Sequence, residues 1–442
     1  MLNYIWLTLV MLAVAIGGWN NRLKEVTDGA FDGARTAVTI ALGLIGIMAL
    51  WLGLMRLAER AGLIQRIALV LPPIMRRLFP EVPPEHPAMG SMLMNMAANM
   101  LGLGNAATPL GLRAMRDLES LNPHPGVATN AMCTFLAINT SSVQLIPTTA
   151  IAILAAAGST RPTAIVGTAL LATLCAATTA IVTVKLLEKL RFFRAHPSSI
   201  PAGVLSRNAD VAEVKSVTPL PLRKAPLWAS LLLLGLLIFF AALFARMVFP
   251  ALFNLPLPSD EHTSVFVRCV NALSILAVPF LLSFFPLYAL GRGLKVYEEF
   301  VEGAKEGFGV ILKIIPFLVA MLVAINMFKG AGGIEILTRA LAPILGPLHF
   351  PPDLLPLALM RPLSGGATMA ILTEIVQRLG PENLVSLMAA TIYGSTETTF
   401  YVAAVYFGSV GVKQTRHAIP AGLVGDLAGV IASVIICRAV LG

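Results

Sequence analysis

Charge is what this chain has least of. Only 12% of its 442 residues are Asp, Glu, Lys or Arg, against roughly 25% in a soluble domain, and the mean hydropathy is +0.82. These values exclude a water-soluble globular protein. Cysteine is also scarce. Cys133, Cys175, Cys269 and Cys437 are scattered, mostly through apolar stretches, so no pair has metal-ligand spacing and no disulfide is expected. The six histidines lie in polar or proline-rich surroundings, and their spacing offers no metal site. Enzyme motifs are missing too. There is no phosphate-binding loop with a Lys-Ser/Thr ending, which argues against ATP-driven transport within this chain. There is no Gly-x-Ser-x-Gly elbow and no His-Glu-x-x-His pair. Val424-Gly425-Asp426 lacks the first glycine of the intramembrane aspartyl protease motif. The expectation is therefore a protein that is not an enzyme and needs no cofactor. The net charge of +9 does not point to nucleic acid, because Lys and Arg gather in short loops and one linker, as in cytoplasmic loops of membrane proteins.

What is present is a series of apolar runs. A bilayer-spanning helix needs about 20 apolar residues. By that rule spans are expected over 2–19, 36–57, 162–187, 226–249, 265–290, 308–328 and 417–441. Gly17-Gly18-Trp19-Asn20 provides no small-residue cleavage site, so 2–19 reads as a retained span rather than a signal peptide. Residues 126–157 and 383–410 are long enough to cross but are interrupted by polar clusters with glycine or proline, and read as broken helices. Such irregular backbone is tolerated at membrane depth only where protein or a water-filled cavity surrounds it. Residues 60–79 and 331–346 are amphipathic and read as interfacial or re-entrant helices; 87–103 and 353–368 are marginal in length.

The basic stretch Glu188–Lys224 is expected to be a cytoplasmic linker, and the loop at Asp260-Glu261-His262 to face outside. Arg292 and Lys295 then mark a cytoplasmic loop, and Arg22 and Lys24 place the end of the first span inside. The chain also repeats itself. Residues 33–75 fall on 303–345 without a gap, with Gly33-Ala34-Arg35 on Gly303-Ala304-Lys305 and Pro73-Ile74 on Pro343-Ile344. Span 226–249 has no counterpart. By loop charge each half starts outside and ends inside, so the extra span is expected to leave the two halves parallel.

Four polar clusters interrupt the apolar pattern, in two matched pairs. Gly102-Leu103-Gly104-Asn105-Ala106-Ala107-Thr108-Pro109 matches Arg361-Pro362-Leu363-Ser364-Gly365-Gly366-Ala367-Thr368. Each places glycines just before an expected helix, 107–121 and 367–379. A helix N-terminus offers free N–H groups and partial positive charge to an anionic group, and Arg361 can add a bidentate contact. Asn139-Thr140-Ser141-Ser142-Val143-Gln144 matches the region of Ser395-Thr396-Glu397-Thr398-Thr399. Hydroxyls, amides and unwound carbonyls can replace the hydration shell of a solute or ion. An ionisable group at membrane depth is costly and marks function. Glu397 is accordingly the leading candidate to bind a cation, take a coupling proton or pair with Arg361, and Asp426, a lone acid in the last span, is the second ion-coupling candidate. The competing explanation for all four clusters is helix packing: glycines for close approach, hydroxyls for interhelical hydrogen bonds and Arg361 snorkelling to the interface. Met89, Met92, Met94, Met96 and Met100 offer thioethers of the kind that suit Cu(I), but their spacing spreads them around a helix, which favours adaptable packing.

Gly394-Ser395-Thr396-Glu397-Thr398-Thr399-Phe400-Tyr401-Val402, Leu359-Met360-Arg361-Pro362-Leu363-Ser364-Gly365 and Phe300-Val301-Glu302-Gly303-Ala304-Lys305-Glu306-Gly307 resemble the spore maturation B family. Gly104-Asn105-Ala106-Ala107-Thr108-Pro109-Leu110-Gly111 and Asn139-Thr140-Ser141-Ser142-Val143-Gln144-Leu145-Ile146-Pro147 resemble the spore maturation A family. The chain thus resembles a fusion of the two, both of the nucleoside recognition, or Gate, group, which is similar to pieces of nucleoside and ferrous iron transporters. In spore formers the family is implicated in spore core dehydration.

The resemblance implies an all-α integral membrane protein with two Gate-type repeats. The expected division is a first repeat over 1–190, a linker over 191–225, a joining transmembrane helix and outer loop over 226–264, and a second repeat over 265–442. The expected function is transport of a small anionic or zwitterionic solute across the bacterial inner membrane, secondary-active or facilitative. The solute site would be built from Asn105, Thr108, Asn139, Thr140, Ser141, Gln144, Arg361, Ser364, Gly365, Ser395, Thr396, Glu397 and Thr398, with Glu397 and Asp426 coupling to H⁺ or Na⁺. Membrane lipid and the solute are the expected partners, nucleic acid is not, and a homo-oligomer is left open. The alternatives are a membrane scaffold or regulator in envelope or spore maturation, and lipid-phosphate handling.

Overall fold

In the computed structural model of the chain, residues 2–69, 71–102, 104–190, 193, 226–250, 264–333, 336, 339 and 350–442 are described below. Most of the expected linker, the Asp260-Glu261-His262 loop and most of the expected amphipathic segment 331–346 lie outside these residues. Among the described residues secondary structure is helical, apart from an isolated bridge between Val127 and Gln414.

The first half begins with α1 (Leu2–Trp19) and α2 (Leu23–Arg60). The amphipathic segment after α2 forms two helices too short to span, α3 (Leu63–Ala68) and α4 (Pro72–Leu78). A hairpin follows, α5 (Pro87–Met100) and α6 (Gly104–Glu119). The first broken crossing is α7 (Asn130–Thr140) and α8 (Thr148–Ala156), and α9 (Ile165–Leu187) closes the half. The unmatched helix is α10 (Leu227–Val248). The second half comprises α11 (Val265–Gly291), α12 (Val296–Gly330), the short α13 (Leu355–Met360), α14 (Gly365–Leu379), the broken pair α15 (Leu384–Ser395) and α16 (Thr399–Gly408), and α17 (Ala418–Leu441). Five helices, α2, α9, α10, α11 and α17, are long and apolar enough to cross a membrane, and α1 and α12 carry shorter apolar stretches. Both expected breaks are present. The helices expected from 107 and 367 start earlier, at Gly104 and Gly365, so those glycines belong to the first helical turn.

The frame is the pairing of α2 with α12. At 38 and 35 residues and 1.5 Å per residue they are each over about 50 Å long, well beyond the hydrocarbon core. They meet through glycines. A Cβ added at Gly33 would lie 2.6 Å from Leu322 O, and one at Gly303 would lie 2.7 Å from Leu52 O. Gly307 faces Ala49, and Gly330 faces Glu25. Small residues permit this backbone-to-backbone approach, which drives helix association in lipid. The numbers run in opposite senses, so the two helices are antiparallel. Gly33 and Gly303, equivalent in the repeat, make equivalent contacts on each other's helix, the mark of a two-fold relation.

The remaining helices obey the same relation. Gly425 of α17 packs on Ala180 of α9, and Gly429 on Ala176, again antiparallel. The loop ahead of α7 meets the loop after α16, where Lys413 N and Gln414 N donate to Gly126 O and Ala128 N donates to Gln414 O. The loop after α8 meets the loop ahead of α15, where Glu382 Oε1 accepts from Ser159 Oγ at 2.7 Å and from Thr160 N at 2.8 Å. The two broken crossings therefore run against each other.

The halves are inverted, and the expectation of parallel halves is wrong. The error lies at the first span. Trp6 Nε1 donates to Ala320 O and Asn20 Nδ2 to Ala331 O, so α1 runs in the same direction as α12. Arg22 and Lys24 thus sit at the membrane face opposite Arg292 and Lys295. They belong to no loop that could be counted independently, since α2 is already helical from Leu23. Helix α10 carries the chain across once, so that the second half enters from the other face. It packs along α11 through contacts such as Ala229 on Gly291 and Phe240 on Phe280, and most of its surface is exposed, as suits a lipid-facing helix.

Candidate functional site at the crossed helix breaks

Two helices stop in mid-protein at the same place. α7 ends at Thr140 and α15 at Ser395, and the ends of the two half-helices touch: Glu397 N donates to Thr140 O at 2.7 Å. Polar sequence explains both interruptions. Ser, Thr and Asn side chains offer the backbone local hydrogen bonds in place of the helix ladder, and Pro147 cannot donate to the ladder. Thr140 Oγ1 and Ser395 Oγ each bond back to a carbonyl three residues earlier, on Ala137 and Ile392.

Charge enters from the second repeat. Arg361 sits at the C-terminal cap of α13 and is 3% exposed. Its Nη2 donates to Tyr393 O at 2.9 Å, its Nη1 to Thr398 Oγ1 at 3.4 Å, and its guanidinium lies 4.8 Å from the centre of the Tyr393 ring. Its Nε has no partner. Glu397 Oε2 is 4.0 Å away, a loose ion pair, and the Glu397 side chain keeps 40% exposure. Gln144 Nε2, from the other break, donates to Glu397 Oε1 at 3.1 Å. A buried guanidinium with an unused N–H thus stands beside a carboxylate that solvent can reach. The expected Arg361–Glu397 pairing is present, and the snorkelling alternative fails because Arg361 is buried.

Gly365, Ser364 and Thr398 lie at the same crossing. A Cβ on Gly365 would stand 3.1 Å from Thr398 Oγ1, so glycine lets the start of α14 approach the break. Ser364 is the N-cap of α14, accepting from Ala367 N at 3.2 Å, which is a capping role. Phe400 N donates to Pro362 O and ties the second break to the α13–α14 turn.

Asp426 lies behind the breaks on α17, 3% exposed, with Oδ2 accepting from Thr399 Oγ1 at 2.6 Å. Gly422, Gly425 and Gly429 share its helix. Cβ atoms there would crowd Thr399 and Thr140, Ser141, and Thr396 with Ser395, in that order. This glycine stripe lets both breaks rest on the backbone of α17. It packs on Ala176 and Ala180 of α9, which are also buried.

The remaining predicted residues divide. Asn139 is buried but turned to a different network: its Oδ1 accepts from Asn99 Nδ2 at 2.8 Å and from Tyr406 Oη at 3.3 Å, and Asn95 Nδ2 reaches Ala107 O at 2.7 Å and Tyr406 Oη at 3.3 Å. Asn95, Asn99, Tyr393 and Tyr406 carry no signal of the site in the sequence, because an uncharged polar residue spaced along an apolar helix reads equally well as helix packing. Thr108 is half-buried on α6, and the Asn105 side chain lies outside the described residues. The methionines pack: Met89 and Met92 are buried in a core with Met132 and Phe135. Among the described residues no three His, Cys, Asp or Glu side chains gather to hold a metal.

The family model described as Gate, nucleoside recognition, matches residues 41–189 and 311–413, together more than half of the chain. The chain belongs to this family. The two matched regions fall in the two inverted halves. Spore maturation protein A of Bacillus subtilis (strain 168) is 46% identical over 182 residues, covering 41% of this chain and 93% of that protein. Spore maturation protein B of the same organism is 40% identical over 176 residues, covering 40% of this chain and 99% of that protein. This Gate-family protein is thus a multi-pass membrane protein related to spore maturation proteins along nearly their whole lengths, and its two Gate regions are the halves that build the crossing.

Proposed function

We propose that the chain is a transporter of a small anionic or zwitterionic solute in the bacterial inner membrane, with the solute held where the two helix breaks cross. One observation carries this reading: buried Arg361, with an unpartnered Nε, stands beside a half-exposed Glu397. A guanidinium with a free donor suits a carboxylate or phosphate, and Glu397 beside Gln144 suits an ammonium or hydroxyl at the solute's other end. Inverted halves, broken helices and a site between them form the plan of many secondary transporters, in which one half rocks against the other around a fixed site. Coupling to H⁺ or Na⁺ falls to Glu397 or Asp426.

The test is a thermal-shift and uptake screen of the purified, reconstituted chain against organic acids, amino acids, nucleosides, polyamines and phosphate esters. A ligand of the folded state raises the melting temperature by mass action. The expected result is a solute that stabilises and is taken up by wild type but not by Glu397→Gln or Arg361→Ala. Wild-type uptake by both correctly inserted variants would refute the reading.

A further inference from the structure

Asp426 is left with an unusual set of neighbours. It is a carboxylate at membrane depth, where an unpaired charge is costly, yet among the described residues no Lys or Arg makes an ion pair with it. Arg361, the basic side chain whose charge acts on Asp426, spends its hydrogen bonds on Tyr393 and Thr398 and lies 4.0 Å from Glu397. Arg361 is thus engaged on the Glu397 side, and the hydrogen bond to the Asp426 carboxylate comes from the Thr399 hydroxyl rather than from a cationic side chain.

Around that charge stand oxygens with nothing to bind. Thr396 interacts with the Asp426 carboxylate, but Thr396 Oγ1 and Asp426 Oδ1 lack the geometry of a hydrogen bond, and neither has another partner. Ser141 Oγ, set against Gly425 beside Asp426, has none either. Ser141 is 0%, Thr396 3% and Thr399 0% exposed. Buried polar atoms are normally satisfied, and three buried oxygens left without partners along the same stretch of α17, at Gly425, Asp426 and Gly429, call for one. The half-helices α7 and α15 both end here, and helix C-termini bring partial negative charge. On α9 the Thr173 hydroxyl is spent on Ser142 O at 2.8 Å and is not free to join those oxygens. The cage draws Asp426, Thr396 and Thr399 from the second repeat and Ser141 from the first.

We infer that Asp426, Ser141, Thr396 and Thr399 form a binding site for one dehydrated monovalent cation of sodium's size, separate from the Arg361–Glu397 side of the crossing. Oxygen-only ligands select a hard cation. A single carboxylate balances a single positive charge, whereas all-protein Ca²⁺ sites draw on several carboxylates and Mg²⁺ keeps several waters that a buried cage of hydroxyls does not supply. The inference deepens the transport reading by naming the coupling ion, and it is tested by binding alone.

The experiment uses the purified full chain in detergent at pH 8 and constant ionic strength, with choline chloride replaced stepwise by sodium or potassium chloride. Melting temperature and binding of radiolabelled sodium are read. Sodium is expected to raise the melting temperature saturably, with one ion bound per chain. The effect is expected to be lost in Asp426→Asn, weakened several-fold in Ser141→Ala and retained in Glu382→Gln. Equal shifts in every salt, a shift with potassium alone, or a sodium shift that survives in Asp426→Asn overturns the inference. If Asp426→Asn does not fold, Ser141→Ala decides: unchanged sodium dependence overturns it. Sodium binding without any solute binding would refute the transport reading and leave the cage standing, and solute binding without sodium binding would do the reverse.

Discussion

The inverted pairing of α2 and α12 makes a sharp prediction, because glycines on the same helix stand in opposite environments. Gly33 is buried against the backbone of α12, where an added Cβ would lie 2.6 Å from Leu322 O and 2.8 Å from Leu322 C. Gly46, farther along α2, is exposed, and a Cβ there meets nothing within 4 Å. Gly33→Ala forces the helices apart by roughly 1 Å to restore ordinary contact, and a gap of that size forfeits a quarter to a half of each affected dispersion contact. Overpacking of this kind costs about 1–3 kcal/mol. Gly46→Ala carries no such cost and gains about 0.5–1 kcal/mol from the better helix propensity of alanine. The two substitutions should therefore move stability in opposite directions. Gly303→Ala should behave as Gly33→Ala does, since its Cβ would lie 2.7 Å from Leu52 O, and Gly309→Ala, again open, should behave as Gly46→Ala does. The assay is the melting temperature of each purified variant in one detergent, supported by a denaturation titration. If Gly33→Ala and Gly303→Ala are as benign as their exposed counterparts, or if only one of the pair is harmful, the two-fold antiparallel packing is wrong.

Three other substitutions probe separate parts of the molecule. Asn139→Ala removes the acceptor of Asn99 Nδ2 and Tyr406 Oη and should cost about 1–3 kcal/mol through the donors left unsatisfied, read as a fall in melting temperature. Arg361→Lys keeps the charge but cannot reach both Tyr393 O and Thr398 or stack as a plane on the Tyr393 ring; a loss of about 0.5–2 kcal/mol is expected from the stacking alone, again by melting temperature. Glu382 lies in the loop ahead of α15, where the Ser159 hydroxyl and the nearby backbone N–H groups pull its carboxyl down to about 2. Its folded value lies below the ordinary one, so its stabilisation is present above about pH 4.5 and is lost as pH falls toward 2. Wild type should be more stable than Glu382→Gln at pH 7, and the difference should vanish in melting curves recorded near pH 2.

Apolar runs of about 20 residues, two interrupted crossings and the duplication of 33–75 in 303–345 were legible in the sequence, because each is a pattern along the chain. So were the polar clusters holding Arg361 and Glu397, since charge inside an apolar run needs no third dimension to be conspicuous. The orientation of the halves was not legible. It turns on which face α2 starts from, and that is decided by glycine contacts between helices some 270 residues apart. The partners of single polar residues were equally hidden. Asn139 reads as part of the solute site in sequence, but tertiary packing turns it toward Asn99 and Tyr406, on helices whose meeting with α7 has no local mark along the chain. Hydropathy and its interruptions along the chain thus suffice for the fold class and for marking Arg361, Glu397 and Asp426 as costly groups in apolar runs. That the repeats face each other inverted, that Arg361 meets Glu397 and that Asp426 sits by hydroxyls from both breaks emerges from packing, because those contacts join segments with no local relation along the chain.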